Sequence, residues 1–221
     1  MMSKLRIQFI IILLIVLLFL IMPVVKAEQQ LIVDVAHKVY IDENSGLIQE
    51  KATINITNSG TNPESIEELV VKIPKNVSKR IVRVMCQFFD GDKIETMVTP
   101  PNLITLSVRR QVNPGETLRL ILEIYTFKNF QLRGQNTSVT VIKFFSTNYR
   151  IRKFYLKVNV PYKTEIQVPP RFREYMTKGV HFIDTTISDI APMQDPSSLS
   201  LIHISEPTRP LYISYAVFCL K

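Results

Sequence analysis

Apolar and polar residues alternate with a period of two along most of this chain, the pattern of strands with one buried face and one wet face. From Leu31 to Ile41 the positions Leu31, Val33, Val35, Val39 and Ile41 share one side, while Asp34 and Lys38 take the other. A polar turn follows at Asp42-Glu-Asn-Ser-Gly46, and the chain returns with Ile48, Ala52, Ile54 and Ile56 on one face, which predicts a hairpin. The same reading predicts further strands around Leu69–Ile73, around Val82, Val84, Cys86 and Phe88, and around Ile104–Val108. It continues through Leu118–Ile124, Val139–Phe145 and Phe154–Val160. Asp90-Gly91 and Asn113-Pro-Gly-Glu116 carry turn chemistry: Gly tolerates a positive φ, and Pro presets a negative one.

No long amphipathic helix separates these strands, so βαβ units and a parallel sheet are disfavoured. The expected fold is all-β, an antiparallel β-sandwich, immunoglobulin-like or similar, over residues 28–183. Past Pro169 the alternation weakens, and 184–198 reads as a polar linker to a further C-terminal part.

The two ends read differently from the middle. Lys4 and Arg6 precede an unbroken apolar run from Phe9 to Met22, closed by Pro23 and the small-residue ending Val25-Lys-Ala27. That run is shorter than the roughly 20 residues a spanning helix needs, so 1–27 is expected to be an export signal peptide. At the other end, Leu199-Ser-Leu-Ile-His-Ile-Ser-Glu-Pro-Thr-Arg209 is what the transposase end and primer arm of a common sequencing adapter encode. A short sample index would supply Pro210-Leu-Tyr212, and the adapter's continuation reads in frame as Ile213-Ser-Tyr-Ala-Val-Phe-Cys-Leu220. Residues 199–221 are therefore expected to be adapter-derived rather than genuine protein.

Setting both ends aside changes the charge. The signal takes Lys4, Arg6 and Lys26, and the tail takes Arg209, Lys221 and Glu206, so 27 basic groups become 22, 19 acidic groups become 18, and +8 becomes +4. So mild a surplus on an exported domain makes nucleic acid an unexpected partner. Cys86 is the one cysteine left, so no internal disulfide is expected, and its apolar neighbours mark it as a core residue.

Catalytic chemistry finds little material. His37 sits inside a strand pattern and His181 in an apolar stretch; both read as structural. There is no Gly-x-Ser-x-Gly elbow, no phosphate-cradling glycine loop and no metal-ligand spacing, so no catalytic, cofactor-binding or metal residue is assigned. Glu64, Glu67 and Glu68 read as a solvated face. Three Asn-x-Ser/Thr sequons make Asn55, Asn76 and Asn136 candidate glycosylation sites, with Asn55 on the polar side of its strand, Asn76 in a turn after Pro74 and Asn136 in a loop after Gly134. A basic concentration runs through Lys143, Arg150, Arg152, Lys153, Lys157, Lys163, Arg171, Arg173 and Lys178, opposed by Glu165 and Glu174. It could meet anionic lipid headgroups or serve as a solvated, aggregation-resistant strand edge.

The order of features resembles the ribophorin I family, non-catalytic subunits of the oligosaccharyltransferase complex. The resemblance rests on Lys38-Val-Tyr-Ile-Asp42, Lys51-Ala-Thr-Ile-Asn-Ile-Thr57, Val112-Asn-Pro-Gly-Glu-Thr-Leu-Arg-Leu-Ile-Leu-Glu-Ile-Tyr-Thr126, Lys143-Phe-Phe-Ser-Thr-Asn-Tyr149 and Phe154-Tyr-Leu-Lys-Val158. It implies a first lumenal β-domain over roughly Leu31 to Pro196, a second β-domain and membrane helix beyond, and other subunits of a membrane complex as partners. No catalytic residue or cofactor is carried over. The implied setting is the endoplasmic reticulum lumen or membrane in a eukaryote, or the outer face of the cell membrane in an archaeon. The alternative expectation is a cell-surface adhesion or surface-layer β-sandwich.

Overall fold

The alternation becomes strand almost throughout. The computed structural model describes residues 30–42, 45–127, 131–133, 136–160 and 170–204. Its first strands are β1 (Leu31–Ile41) and β2 (Leu47–Asn58), followed by β3 (Glu64–Lys72), a four-residue helix α1 (Lys75–Ser78), β4 (Ile81–Phe88) and β5 (Lys93–Thr99). Then come β6 (Leu103–Val112), β7 (Thr117–Phe127), β8 (Gln131–Arg133), β9 (Asn136–Phe144) and β10 (Ser146–Thr147). The chain continues with β11 (Ile151–Val160), β12 (Arg173–Thr177), β13 (Val180–Ile190) and β14 (Ser197–Ile204). The expected signal peptide, and the tail from Ser205 onward, lie outside the described residues.

The strands form an eleven-stranded sheet, ordered β10-β3-β6-β5-β4-β7-β2-β1-β11-β13-β12, and a three-stranded one, ordered β14-β9-β8. The fold is all-β and sandwich-like, with β9 of the small sheet lying against β2 and β11 of the large one. In one respect it departs from the expected antiparallel arrangement: β1 pairs parallel with β11, Val35 beside Phe154 and Val39 beside Val158. β11 therefore enters beside the first strand of the described residues, and β1 is paired on both edges.

Core faces follow the alternation. Val33, Val35 and Val39 of β1, Ile48, Ala52, Ile54 and Ile56 of β2, and Leu120, Leu122 and Ile124 of β7 are all buried. Phe154, Leu156, Val158 and Val160 extend the same layer along β11, and Val139, Val141 and Ile142 of β9 cover it. Burying an aliphatic side chain of this size stabilises the fold by about 1.5–3 kcal/mol each, before conformational entropy is subtracted.

Two sequence expectations need correction. The stretch 184–198 is not a linker: β13 runs through to Ile190, and β14 begins at Ser197. The β12–β13 hairpin was hidden because its turn is Lys178-Gly179, with φ of 52° and 75°, rather than an Asn-Gly or Asp-Gly pair. Val82 does not share the face of Cys86: the β4–β7 register shifts between Ile81 and Arg83, and Val82 is 53% exposed. One extra residue at such a bulge turns the side chains before it to the opposite face. At the C-terminal end, Leu199 and Leu201 are buried where β14 pairs with β9, because their period-two spacing suits a strand regardless of what encoded it.

Candidate functional site

The hairpin register creates one buried polar pair. Lys38 stands opposite Lys51, Val39 opposite Glu50 and His37 opposite Ala52, so His37 and Glu50 are diagonal neighbours on the core side. Each is 1% exposed, and His37 Nε2 lies 3.2 Å from Glu50 Oε2. The carboxylate also accepts the backbone N–H of Ile142, 3.3 Å to Oε1 and 3.1 Å to Oε2, which ties β9 to β2. Around the imidazole, Phe145 and Phe154 stand edge-on with ring centroids at 5.9 and 5.7 Å, and they meet each other at 5.0 Å.

Two further polar side chains approach this layer. Thr126 of β7, beside Ile48 in register, is fully buried. Arg80 precedes β4 and donates from Nε to the Asn76 carbonyl at 2.9 Å. Burial holds its guanidinium below the usual arginine range, and the charge of Glu50 offsets part of that. His37 Nδ1, Thr126 Oγ1 and Arg80 Nη1 have no hydrogen-bond partner among the described residues. Chemically, a general base must reach the proton it takes, and Glu50 and His37 are sealed behind two phenylalanines and a strand. What the arrangement does is join two sheets.

His37, expected from sequence to be structural, is buried in β1 against Glu50. Glu50 was missed, although a signal existed: it interrupts the series Ile48, Ala52, Ile54 and Ile56 at a core-facing position, on the strand returning beside a core-facing histidine. A charge at such a position calls for a partner, because an unpaired buried one is costly.

The other candidates are dispersed. His181 Nε2 meets Glu174 Oε1 at 2.6 Å on the β12–β13 hairpin, so its surroundings are not purely apolar as expected. Cys86 is buried as expected, and burial pushes its thiol up to about 12, with a small opposing effect from the Gln87 N–H. Glu67 and Glu68 are exposed and Glu64 half-exposed. Among the described residues, no three His, Cys, Asp or Glu side chains gather where they could hold a metal ion.

Among the sequons, Asn55 lies half-buried in β2, with Oδ1 accepting from Arg119 Nε at 3.1 Å. Asn76 is exposed, but in α1 rather than a turn, and its Nδ2 donates to Ser198 Oγ at 3.0 Å. Asn136 is not in a loop: it is the first residue of β9, opposite Arg133.

Much of the basic concentration is neutralised in place. Arg150 Nε donates to Asp189 at 2.6 Å, Arg152 to Asp34 at 3.1 Å and Arg173 to the buried Asp184 at 2.9 Å. Lys157 Nζ lies 3.9 Å from the Phe182 ring centroid and 5.5 Å from that of Tyr175. Tyr155 donates to the same Asp184 at 3.0 Å, and burial together with that carboxylate raises its hydroxyl well above the usual tyrosine range. Asp34 and Asp189 reach their arginines from strands distant in the chain, and Asp184 reaches Arg173 across the β12–β13 hairpin, whereas the sequence count set only Glu165 and Glu174 against these bases. Lys163 and Glu165 lie outside the described residues.

No protein-family model matches this chain, and no curated protein matches it in sequence. Among solved structures it is similar to an M1 zinc metallopeptidase from Deinococcus radiodurans, with 14% identity and a TM-score of 0.46 over 79% of this chain and 43% of that one. It is also similar to an aminopeptidase N family protein from Idiomarina loihiensis, with 10% identity and a TM-score of 0.47 over 76% of this chain and 29% of that one. The chain thus spans less than half the length of either structure.

Proposed function

We propose that this chain is a non-catalytic, extracytoplasmic β-scaffold of a membrane glycan-transfer assembly, in the manner of ribophorin I in the oligosaccharyltransferase complex. The observation that carries the reading is the use made of the buried acid–histidine pair: Glu50 accepts from His37 and from the Ile142 backbone, so its oxygens hold strands together and face no substrate. The order of turn and strand motifs around Val112–Thr126 and Lys143–Tyr149 supports the choice of family. The apolar segment Phe9–Met22 supports export.

The test is to tag the chain in its source cells, solubilise membranes in mild detergent and follow it on native gels together with the catalytic glycosyltransferase subunit. Co-migration, with a smaller complex and lower occupancy of reporter sequons after depletion, is the expected result. A complex of unchanged size and activity after depletion overturns the reading. Localisation at the cell surface without any glycosylation defect would favour the adhesion alternative.

A further inference from the structure

Strands β4 and β5 leave the Asp90–Gly91 turn together and then part. They pair only through Cys86 with Ile94 and Gln87 with Lys93. Beyond that point β4 follows β7 back to Ile81, while β5 follows β6 from Glu95 to Thr99. Since β4 and β5 are neighbours in the sheet, each presents to the same gap an edge unpaired among the described residues: Ile81–Met85 on one side and Glu95–Thr99 on the other. A cavity of about 350 Å³ opens there, lined by Arg83, Met85, Lys93, Thr96, Ile121 and Glu123.

Unpaired strand edges are templates for another strand, and proteins normally blunt them with charge, proline or a bulge. The β4 edge is blunted by the bulge at Val82, whereas β5 pairs with β6 without a register shift from Glu95 to Thr99. The β5 edge also carries exposed apolar side chains, Met97 at 61% and Val98 at 45%, with Val82 at 53% across the gap. Charge narrows the occupant further. Glu123 is already engaged by Lys51 at 2.9 Å and by the Tyr125 hydroxyl at 2.9 Å, while Arg83 and Lys93 line the cavity without an ion pair among the described residues. Glu95, the one acid of β5, is not part of the lining.

We propose that this gap receives an extended acidic segment of a partner protein, added as a strand along Glu95–Thr99, with its carboxylates on the face of Arg83 and Lys93 and its apolar side chains on the opposite face, covering Val98. Main-chain pairing would supply affinity, and the alternating side chains would supply the preference for acid. At about 3.4 Å per residue, such an edge takes a segment of roughly five residues. The surface is independent of which assembly the chain serves.

The probes are N-acetylated peptides of five to nine residues alternating Val and Glu, and their counterparts alternating Val and Lys, each added to the full chain. Backbone hydrogen exchange reads the result. Acidic peptides should slow exchange over Glu95–Thr99 about tenfold or more, and basic ones should not. The charge-reversed variant Arg83→Glu/Lys93→Glu, altered only at surface positions, should exchange that preference for basic peptides. Three outcomes overturn the proposal: no protection by any peptide, equal protection by acidic and basic peptides, or protection already present without peptide at the β5 amides that do not bond β6, which would mean that a second copy or another segment of this chain fills the gap.

Discussion

The carboxylate of Glu50 in β2 accepts the backbone N–H of Ile142 in β9, at 3.1 Å to the nearer hydrogen-bonding oxygen, and so a side chain of the large sheet completes the backbone bonding of the small one. Removing that acceptor strands a buried donor, at about 1–3 kcal/mol. It also leaves His37 alone between Phe145 and Phe154 and opens a cavity, so Glu50→Ala should lower stability by about 2–5 kcal/mol in denaturant titration. Glu50→Gln keeps an acceptor for Ile142 and should lose less than half as much. Equal losses in the two variants would show that the Ile142 bond is not what Glu50 provides.

That pair also marks the limit of what sequence reading could reach. Faces defined by period-two alternation were legible, and β1, β2, β6, β7 and β11 bury the residues their patterns indicate, save Ile41 and Leu118, which are half-buried. Pairings between strands distant in the chain were not, because the parallel contact of β1 with β11 leaves no local trace. Strand β5, Lys93-Ile-Glu-Thr-Met-Val-Thr99, escaped because its apolar side chains Met97 and Val98 stay exposed at an edge rather than marking a buried face. Strand β13 escaped because Thr185 stands at a core-facing position and Asp184 is buried on the opposite face, which spoils the apolar alternation.

Cys86 supplies a prediction with a pH signature. Its thiol is raised from 9.0 to about 12 by burial, so at neutral pH its thiolate fraction lies far below that of a free cysteine, and alkylation of folded protein should be slower by about two orders of magnitude or more. The folded state holds this proton more tightly than the unfolded state. The associated stability is therefore complete below pH 9.0 and lost as pH rises toward about 12. Cys86→Ala should flatten part of the alkaline fall in stability over that interval, as read by denaturant midpoints from pH 8.5 upward. An unchanged alkaline slope would contradict the burial of the thiol.

The sequons separate by accessibility. Asn76 is exposed on α1, whereas the Asn55 side chain is half-buried and bound to Arg119 in the middle of a paired strand. In a cell that exports and N-glycosylates the chain, Asn76→Gln should remove one glycan increment on a gel. Asn55→Gln should leave mobility unchanged, because a glycan there would displace the Arg119 contact. A mobility shift for Asn55→Gln alone would reverse this ranking.

The last prediction tests strand register directly. Leu122 is fully buried in β7 between Ala52 of β2 and Cys86 of β4, while its neighbour Glu123 points to the other face, beside Lys51 and Met85. Leu122→Ala removes three carbons from a packed layer and should cost about 2–5 kcal/mol. Glu123 is partly exposed yet not idle: it pairs with Lys51 at 2.9 Å and accepts from Tyr125. The Lys51 bond, foremost, holds its carboxyl below the usual glutamate range. Partial exposure keeps such a pair small, so Glu123→Ala should cost about 1 kcal/mol or less at neutral pH. Because the folded state favours the ionised form, this contribution is present above the unfolded carboxyl value of 4.5 and disappears as pH falls below it, where the variant and the parent should converge. A one-residue slip of β7 would exchange the two side chains between faces. Large losses for Glu123→Ala and small ones for Leu122→Ala in paired denaturant titrations would therefore overturn the register along the centre of the sheet.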